Sequence, residues 1–194
     1  MTPTETTART RRHGPTSHGP LQRPSRTVPF PTAPGPTLGV VIRHRQDLYL
    51  LVRSTFPQGF GPLTAPDTPG ADATEAAAAV VAEQTLISVE DYTEVPTTDP
   101  NRRLVLATTS APIEPPGHRR LQSAWYDLAH VRELADRTQD LANGWSTAAD
   151  FAACPGLLPE WMRPLSDANL IIATDADLDL VSDLTATPAP PRAA

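Results

Sequence analysis

Hydrophobic and polar positions along the middle of the chain follow the two-residue period of β-strands. Two apolar runs, "LGVVI" and "LYLLV", flank the polar stretch "RHRQD". This pattern predicts a β-hairpin with strands near 37–44 and 47–54. The stretch that follows, "FPQGFGPLTAPDTPG", has no hydrophobic period. We expect it to be a loop, because Gly and Pro interrupt regular structure.

A helix is predicted over 72–86, where the sequence becomes rich in small apolar residues. Asp72 is a suitable N-cap and Glu75 follows it by three residues, the spacing of a capping box. The four alanines from Ala76 to Ala79 are the strongest helix formers.

The second half of the domain alternates strand and helix patterns. "RRLVLATTSAP" predicts a strand over about 104–110, and "SAWYDL" predicts a short strand that runs into the helix "AHVRELADRT". Further helices are predicted in "STAADFAAC" and "LPEWMRPL", while residues 168–184 fit a strand or a helix. This order predicts an α/β or α+β sandwich in which helices flank a mixed β-sheet.

The two ends of the chain differ in composition from this middle part. Residues 1–36 are rich in Pro, Thr, Arg and Gly and nearly lack large apolar side chains. Residues 185–194 have the sequence "TATPAPPRAA". Neither segment can bury enough surface to offset the entropy of ordering it. We therefore expect a disordered arm over 1–36, a folded domain over 37–184 and a disordered tail over 185–194.

Charge is distributed unevenly along the chain. The net charge is −6, yet the arm carries five Arg against Glu5, so the remainder is strongly acidic. A basic arm can contact nucleic acid or an acidic surface. A solvated tail is the preferred interpretation, because the Arg residues are dispersed and have no aromatic partners for stacking. All sixteen basic residues are Arg, and Ala and Pro are abundant. This composition is typical of a GC-rich bacterium.

Some classes of protein are disfavoured by what the sequence contains. A single cysteine, Cys154, excludes an internal disulfide, and its apolar neighbours predict a small buried residue. No apolar run has the roughly 18 residues of a membrane span, and the first residues lack the apolar core of a secretory signal. We therefore expect no membrane contact and a cytoplasmic location. Trp125 and Trp161 are expected to lie in the core.

Three quoted segments together resemble one family. The strand "LYLLVRS", the Gly/Pro loop and the helix "PGADATEAAAAVVAEQTLI" are similar to those of the Nudix hydrolase superfamily. "AWYDLAHVRELA" resembles a later strand and helix of the same family. The resemblance covers about Thr37 to Asp136 and implies a Nudix-like sandwich followed by a C-terminal helical extension.

The family's catalytic helix can be placed on this sequence without a gap, but most of its charged residues are replaced. In the family, helix carboxylates one turn apart hold divalent ions, which stabilise the diphosphate and activate water. The helix positions that correspond to the family's Arg-Glu and Glu-Glu pairs are Ala79 with Val80, and Glu83 with Gln84; the loop glutamate corresponds to Ala71. The resemblance leaves Glu83 as a residual candidate for catalysis and metal binding, or as a solvated helix residue.

Other side chains are weaker candidates. The resemblance implies that Arg43, Arg53, Gln84 and the loop residue Glu114 contact a ligand, although exposed strand-end arginines need no such role. Asp175, Asp177 and Asp179 have the spacing of alternating calcium ligands, but the loop lacks the glycine and terminal glutamate of a calcium site. A solvated acidic segment is the preferred interpretation there.

Two functions follow from these observations. The preferred interpretation is a non-catalytic domain, in effect a pseudoenzyme, that binds a nucleotide, another ligand or a protein partner in a regulatory role and needs no cofactor. The alternative is an active Mg²⁺-dependent hydrolase of nucleoside-diphosphate-linked compounds, in which Glu83, Glu114 and Asp67 or Asp72 provide the carboxylates. An unrelated α/β module with an accidental match is a third interpretation. The oligomeric state does not follow from the sequence.

Overall fold

The computed structural model describes residues 35–55, 58–113 and 122–185, which form one mixed sheet of seven strands and five helices. The predicted α+β class, with helices flanking a mixed sheet, is confirmed. Most of the predicted arm and tail lies outside the described residues. The strands are β1 (Thr37–His44), β2 (Leu48–Thr55), β3 (Gln58–Gly61), β4 (Leu63–Pro66), β5 (Asp91–Val95), β6 (Arg102–Thr109) and β7 (Gln122–Asp127). The helices are α1 (Ala73–Gln84), α2 (Leu128–Asn143), α3 (Ala148–Ala153), α4 (Pro159–Asp167) and α5 (Asp175–Ser182).

The sheet is built around β1, which has strands on both sides. β1 pairs antiparallel with β2 and with β4, and it runs parallel to β6 along its full length. β5 continues the sheet beyond β6, while β3 and β7 both pair with β2. The predicted hairpin is therefore confirmed, as is the strand near 104–110.

The prediction of a loop after the hairpin is wrong, because this stretch contains β3 and β4. β3 forms a hairpin with the adjacent strand β2, as in the pair Thr55 with Gln58. β4 instead pairs with β1, which is distant in sequence, as in the pair Thr37 with Pro66. The glycines that suggested a loop allow a close approach instead. A Cβ atom on Gly59 would lie 2.8 Å from the Leu158 side chain.

Side chains alternate between the two faces of the sheet and form two apolar clusters. On one face, α1 covers a cluster that includes Leu38, Val40, Ile42 and Leu50. The opposite face, which includes Val41, packs against α2, α4 and α5.

The two tryptophans predicted to be in the core occupy opposite faces. Trp161 of α4 is fully buried, and its ring lies so close to β1 that a Cβ atom on Gly39 would come within 2.5 Å of it. Trp125 is partly buried against the cluster under α1. Its ring meets that of the buried His44 edge to face, with the ring centres 6.0 Å apart.

Two sequence predictions about the C-terminal part are settled by the structure. Residues 175–182 are helical, and Thr174 and Asp177 form the capping box that begins α5. Cys154 is exposed rather than buried, so that prediction is wrong. The short α3 buries Phe151 alone, and Cys154 is the residue that ends this helix.

Candidate functional site

The helix that corresponds to the family's catalytic helix forms as predicted, over Ala73–Gln84. One carboxylate oxygen of Asp72 accepts hydrogen bonds from the backbone N–H of Thr74 at 2.8 Å and of Glu75 at 3.3 Å. These bonds satisfy backbone donors that the first turn leaves free. A hydrogen bond from the hydroxyl of Thr74 is the largest cause that lowers the pKa of Asp72, and the two backbone hydrogen bonds lower it further. Asp72 therefore serves as the cap of α1.

Val80 faces the sheet. Its side chain is 5% exposed and belongs to the apolar cluster with Ala77 and Val81. An ionised side chain at this position would lose its hydration without gaining a partner. The neighbouring Ala79 is exposed. Position 80 is thus part of the hydrophobic core.

Gln84 holds the end of α1 against the sheet. Its side-chain Nε2 donates a hydrogen bond of 2.9 Å to the backbone oxygen of Thr64 in β4. An ionised carboxylate accepts hydrogen bonds but cannot donate one, so glutamate at this position could not make the same contact. Glu83, the preceding residue, is exposed.

Arg103 forms hydrogen bonds that hold the loop leading into α1 in place. Its Nη1 donates to Asp67 at 3.3 Å and to the backbone oxygen of Ala71 at 3.1 Å, while its Nε donates to Glu94 at 2.9 Å. The hydrogen bond to Glu94 is the largest cause that raises the pKa of Arg103. This role of Arg103 was not predicted from the sequence. The parallel pairing of β1 and β6 brings Arg103 beside the start of β1, and no local motif encodes that pairing.

These side chains do not fit a Mg²⁺ ion. Mg²⁺ prefers near-octahedral oxygen coordination that includes charged carboxylates. The helix face offers a buried valine, an exposed glutamate and an amide whose nitrogen is engaged with Thr64. Among the described residues, no group of three or more His, Cys, Asp or Glu side chains is arranged to hold a metal ion.

The two candidate strand arginines lie away from α1. Arg43 is paired across the strands with Tyr49, whose side chain belongs to the cluster on the opposite face from α1. Arg53 alternates with Val52, which packs under α1, and its charge acts on Tyr126 of that opposite cluster. Arg43 also forms an exposed ion pair with Asp47. The structure therefore does not bring either arginine together with Glu83 and Gln84.

The acidic candidates near the C-terminus have contacts of their own. Glu114 lies outside the described residues. In the sequence "DADLD", Asp175 and Asp179 contact Arg163, and Asp177 caps α5. These contacts account for the acidic segment without a calcium ion.

No helix in the part of the chain that the structure describes has the length and apolar character to cross a membrane.

Comparison with known proteins gives a distant likeness in fold. No protein-family model matches the chain, and no curated protein matches it. A structure of MutT, from work on Aliivibrio salmonicida and Vibrio cholerae, is similar with 15% identity and a TM-score of 0.40 over 53% of this chain and 84% of that one. An Ap4A hydrolase of C. elegans has 21% identity and a TM-score of 0.40, over 52% and 86% of the two chains. A hydrolase of ADP compounds has 22% identity and a TM-score of 0.39, over 55% and 63%.

Proposed function

We propose that this chain is a Nudix-like domain that binds a nucleotide or a related ligand in a regulatory role without hydrolysing it. The proposal rests on the observation that this face of α1 makes contacts that stabilise the fold. Val80 fills the core under α1, and Gln84 ties the end of α1 to Thr64. The resemblance places metal-binding carboxylates at these two positions. Both have structural contacts here that a carboxylate would break.

The alternative hydrolase needs carboxylates that converge on one point. Asp72 caps the beginning of α1 and Glu83 lies near its end, so they are separated by about 16 Å at 1.5 Å per residue. Asp67 is engaged with Arg103. Asp67 and Asp72, one of which the alternative requires, thus already have contacts in the loop and at the cap. This placement favours the non-catalytic interpretation.

A nucleotide panel tests both parts of the proposal. The full-length protein is titrated by calorimetry with ADP, a sugar-linked ADP and Ap4A, with Mg²⁺ or with a chelator, and the products are analysed after incubation. We expect saturable binding of at least one compound that the chelator leaves unchanged, and no hydrolysis. Mg²⁺-dependent turnover that Glu83→Gln abolishes would establish the hydrolase instead. Absence of binding across the panel would reject the nucleotide as the ligand.

A further inference from the structure

A cavity of about 450 Å³ opens between the loop that joins β5 to β6 and the helices α4 and α5. This volume lies within the roughly 300–1,000 Å³ of small-molecule sites. Polar and charged residues from the loop and both helices line it, among them Asp99, Arg102, Glu160, Arg163 and Ser182. Because α4 and α5 pack on the face of the sheet opposite α1, the cavity is separate from the helix face discussed above.

Arg102, the first residue of β6, is a buried cation that lines this cavity. It is 3% exposed, and its guanidinium group lies 5.8 Å from the ring centre of Trp161. Nη1 donates to three uncharged oxygens: the backbone oxygens of Asn101 at 2.9 Å and Gly35 at 3.3 Å, and the hydroxyl of Thr37 at 3.4 Å. Nε is buried without a hydrogen-bond partner.

No carboxylate within the described ranges forms an ion pair with Arg102, whereas its neighbour Arg103 forms two. A buried charge without a hydrogen-bonded counter-charge is unfavourable, because it has lost its hydration. The charge of Glu160 acts on Arg102 without a hydrogen bond between them. A negatively charged ligand would provide the missing hydrogen-bonded counter-charge to Arg102. The buried guanidinium is therefore the feature that indicates the chemistry of the ligand.

The N-terminus of α4 opens onto the same cavity. Pro159 is the first helical residue and has no N–H, and Leu158 provides no side-chain cap. Pro159, Glu160, Met162 and Arg163 of this nine-residue helix all line the cavity. A helix N-terminus carries a partial positive charge that favours anions. This partial charge and the charge of Arg102 therefore both attract an anion.

Glu160 is a partly buried carboxylate in the cavity wall, and its negative charge opposes the binding of an anion. Burial raises the pKa of Glu160, and the charge of Arg102 offsets part of that rise. The other charged groups around it are Asp99 in the β5–β6 loop and Arg163, which is paired with Asp175 and Asp179 of α5. When Glu160 is protonated, its carboxyl group can donate a hydrogen bond to a ligand oxygen.

We propose that this cavity binds a small molecule through a carboxylate or phosphate group that lies between Arg102 and the N-terminus of α4. The remainder of the molecule would occupy the space toward Ser182 and Arg163. This site does not depend on the function proposed for the domain, since it shares no residue with α1.

Amide chemical shifts of the ¹⁵N-labelled full-length protein test the site directly. Inorganic phosphate and succinate are titrated separately, and the two series distinguish a phosphate from a carboxylate ligand. We expect at least one of them to cause saturable shifts at the amides of Thr98, Asn101 and Ser182. Absence of saturable shifts at these amides with both anions would overturn the proposal.

Substitution of Glu160 gives a gain of affinity that a folding defect cannot imitate. Glu160→Gln removes the opposing charge, so the anion should bind about tenfold more tightly at neutral pH. As the pH falls toward the pKa of Glu160, the affinity of the wild type should approach that of the variant, because the protonated Glu160 no longer opposes the anion. Glu133→Gln, which changes an exposed carboxylate on α2, is the matched control. Equal affinities for the two variants would contradict the proposed geometry.

Arg102→Lys is the complementary change. It keeps the charge but removes the planar guanidinium group, so we expect weaker binding of the same anion. The unperturbed amide spectrum of the unliganded variant reports whether the fold is intact. Binding as tight as that of the wild type in a folded Arg102→Lys protein would show that the guanidinium group does not contact the ligand.

Discussion

The environments of three side chains determine whether α1 can bind a metal ion. The resemblance points to the face formed by Val80, Glu83 and Gln84, and each of these has a different environment. Val80 lies in the core, Glu83 is exposed, and Gln84 donates to the backbone of β4. A single glutamine amide therefore connects helix and sheet at the position where the family pattern has a metal ligand.

Gln84→Glu is expected to destabilise the protein at neutral pH. The substitution removes the donor to Thr64 and places a carboxylate next to a backbone carbonyl oxygen, which should cost about 1 kcal/mol of unfolding free energy. Urea denaturation measures the difference. Glu83→Gln is the control, because the side chain is exposed and its neutralisation should change stability little. Equal stability of Gln84→Glu and the wild type would show that the contact with Thr64 contributes nothing.

The secondary-structure elements that were predicted correctly are those marked by a pattern of neighbouring residues in the sequence. The hairpin has alternating apolar runs, and α1 has an N-cap followed by alanines, so both were predicted within one or two residues at most of their ends. The strand β3 was missed because its glycines resemble loop residues. The strand β4 was missed because it pairs with β1, which is distant in sequence.

Acid should weaken the beginnings of four helices together. Hydrogen bonds at the caps lower the pKa values of Asp72, Asp127, Asp150 and Asp177. Their folded-state pKa values lie below the unfolded value of about 3.9, so this stabilisation is present above that pH and is lost as the pH falls through the folded values. Urea denaturation at neutral pH and near pH 3 measures the loss.

Replacement of one cap shows whether these carboxylates are responsible. Asp72→Asn keeps an acceptor for the first turn of α1 but cannot be protonated in this range, so the variant should lose less stability on acidification than the wild type. Asp136→Asn, which changes an exposed carboxylate within α2 that caps no helix, is the control. The same acid sensitivity in Asp72→Asn and the wild type would assign the loss to other groups.

At the scale of the whole molecule, the sheet separates two regions with different character. The face under α1 is closed by small apolar side chains, whereas the side of α4 and α5 contains the cavity with Arg102 and Glu160. The sequence could predict the first region because its residues are neighbours along one helix. It could not predict the second, since Arg102 and Glu160 are brought together by the packing of α4 against β6.

In the proposed function, the face of α1 that contains Val80, Glu83 and Gln84 supports the fold and does not bind a metal ion. Paramagnetic broadening of the amide signals by Mn²⁺ in the full-length protein tests this claim, because the ion broadens signals near its binding site. We expect no saturable broadening at the amides of Glu83 and Gln84, with or without ADP. Saturable broadening at these amides that Glu83→Gln removes would contradict the claim and support a metal-dependent site on α1.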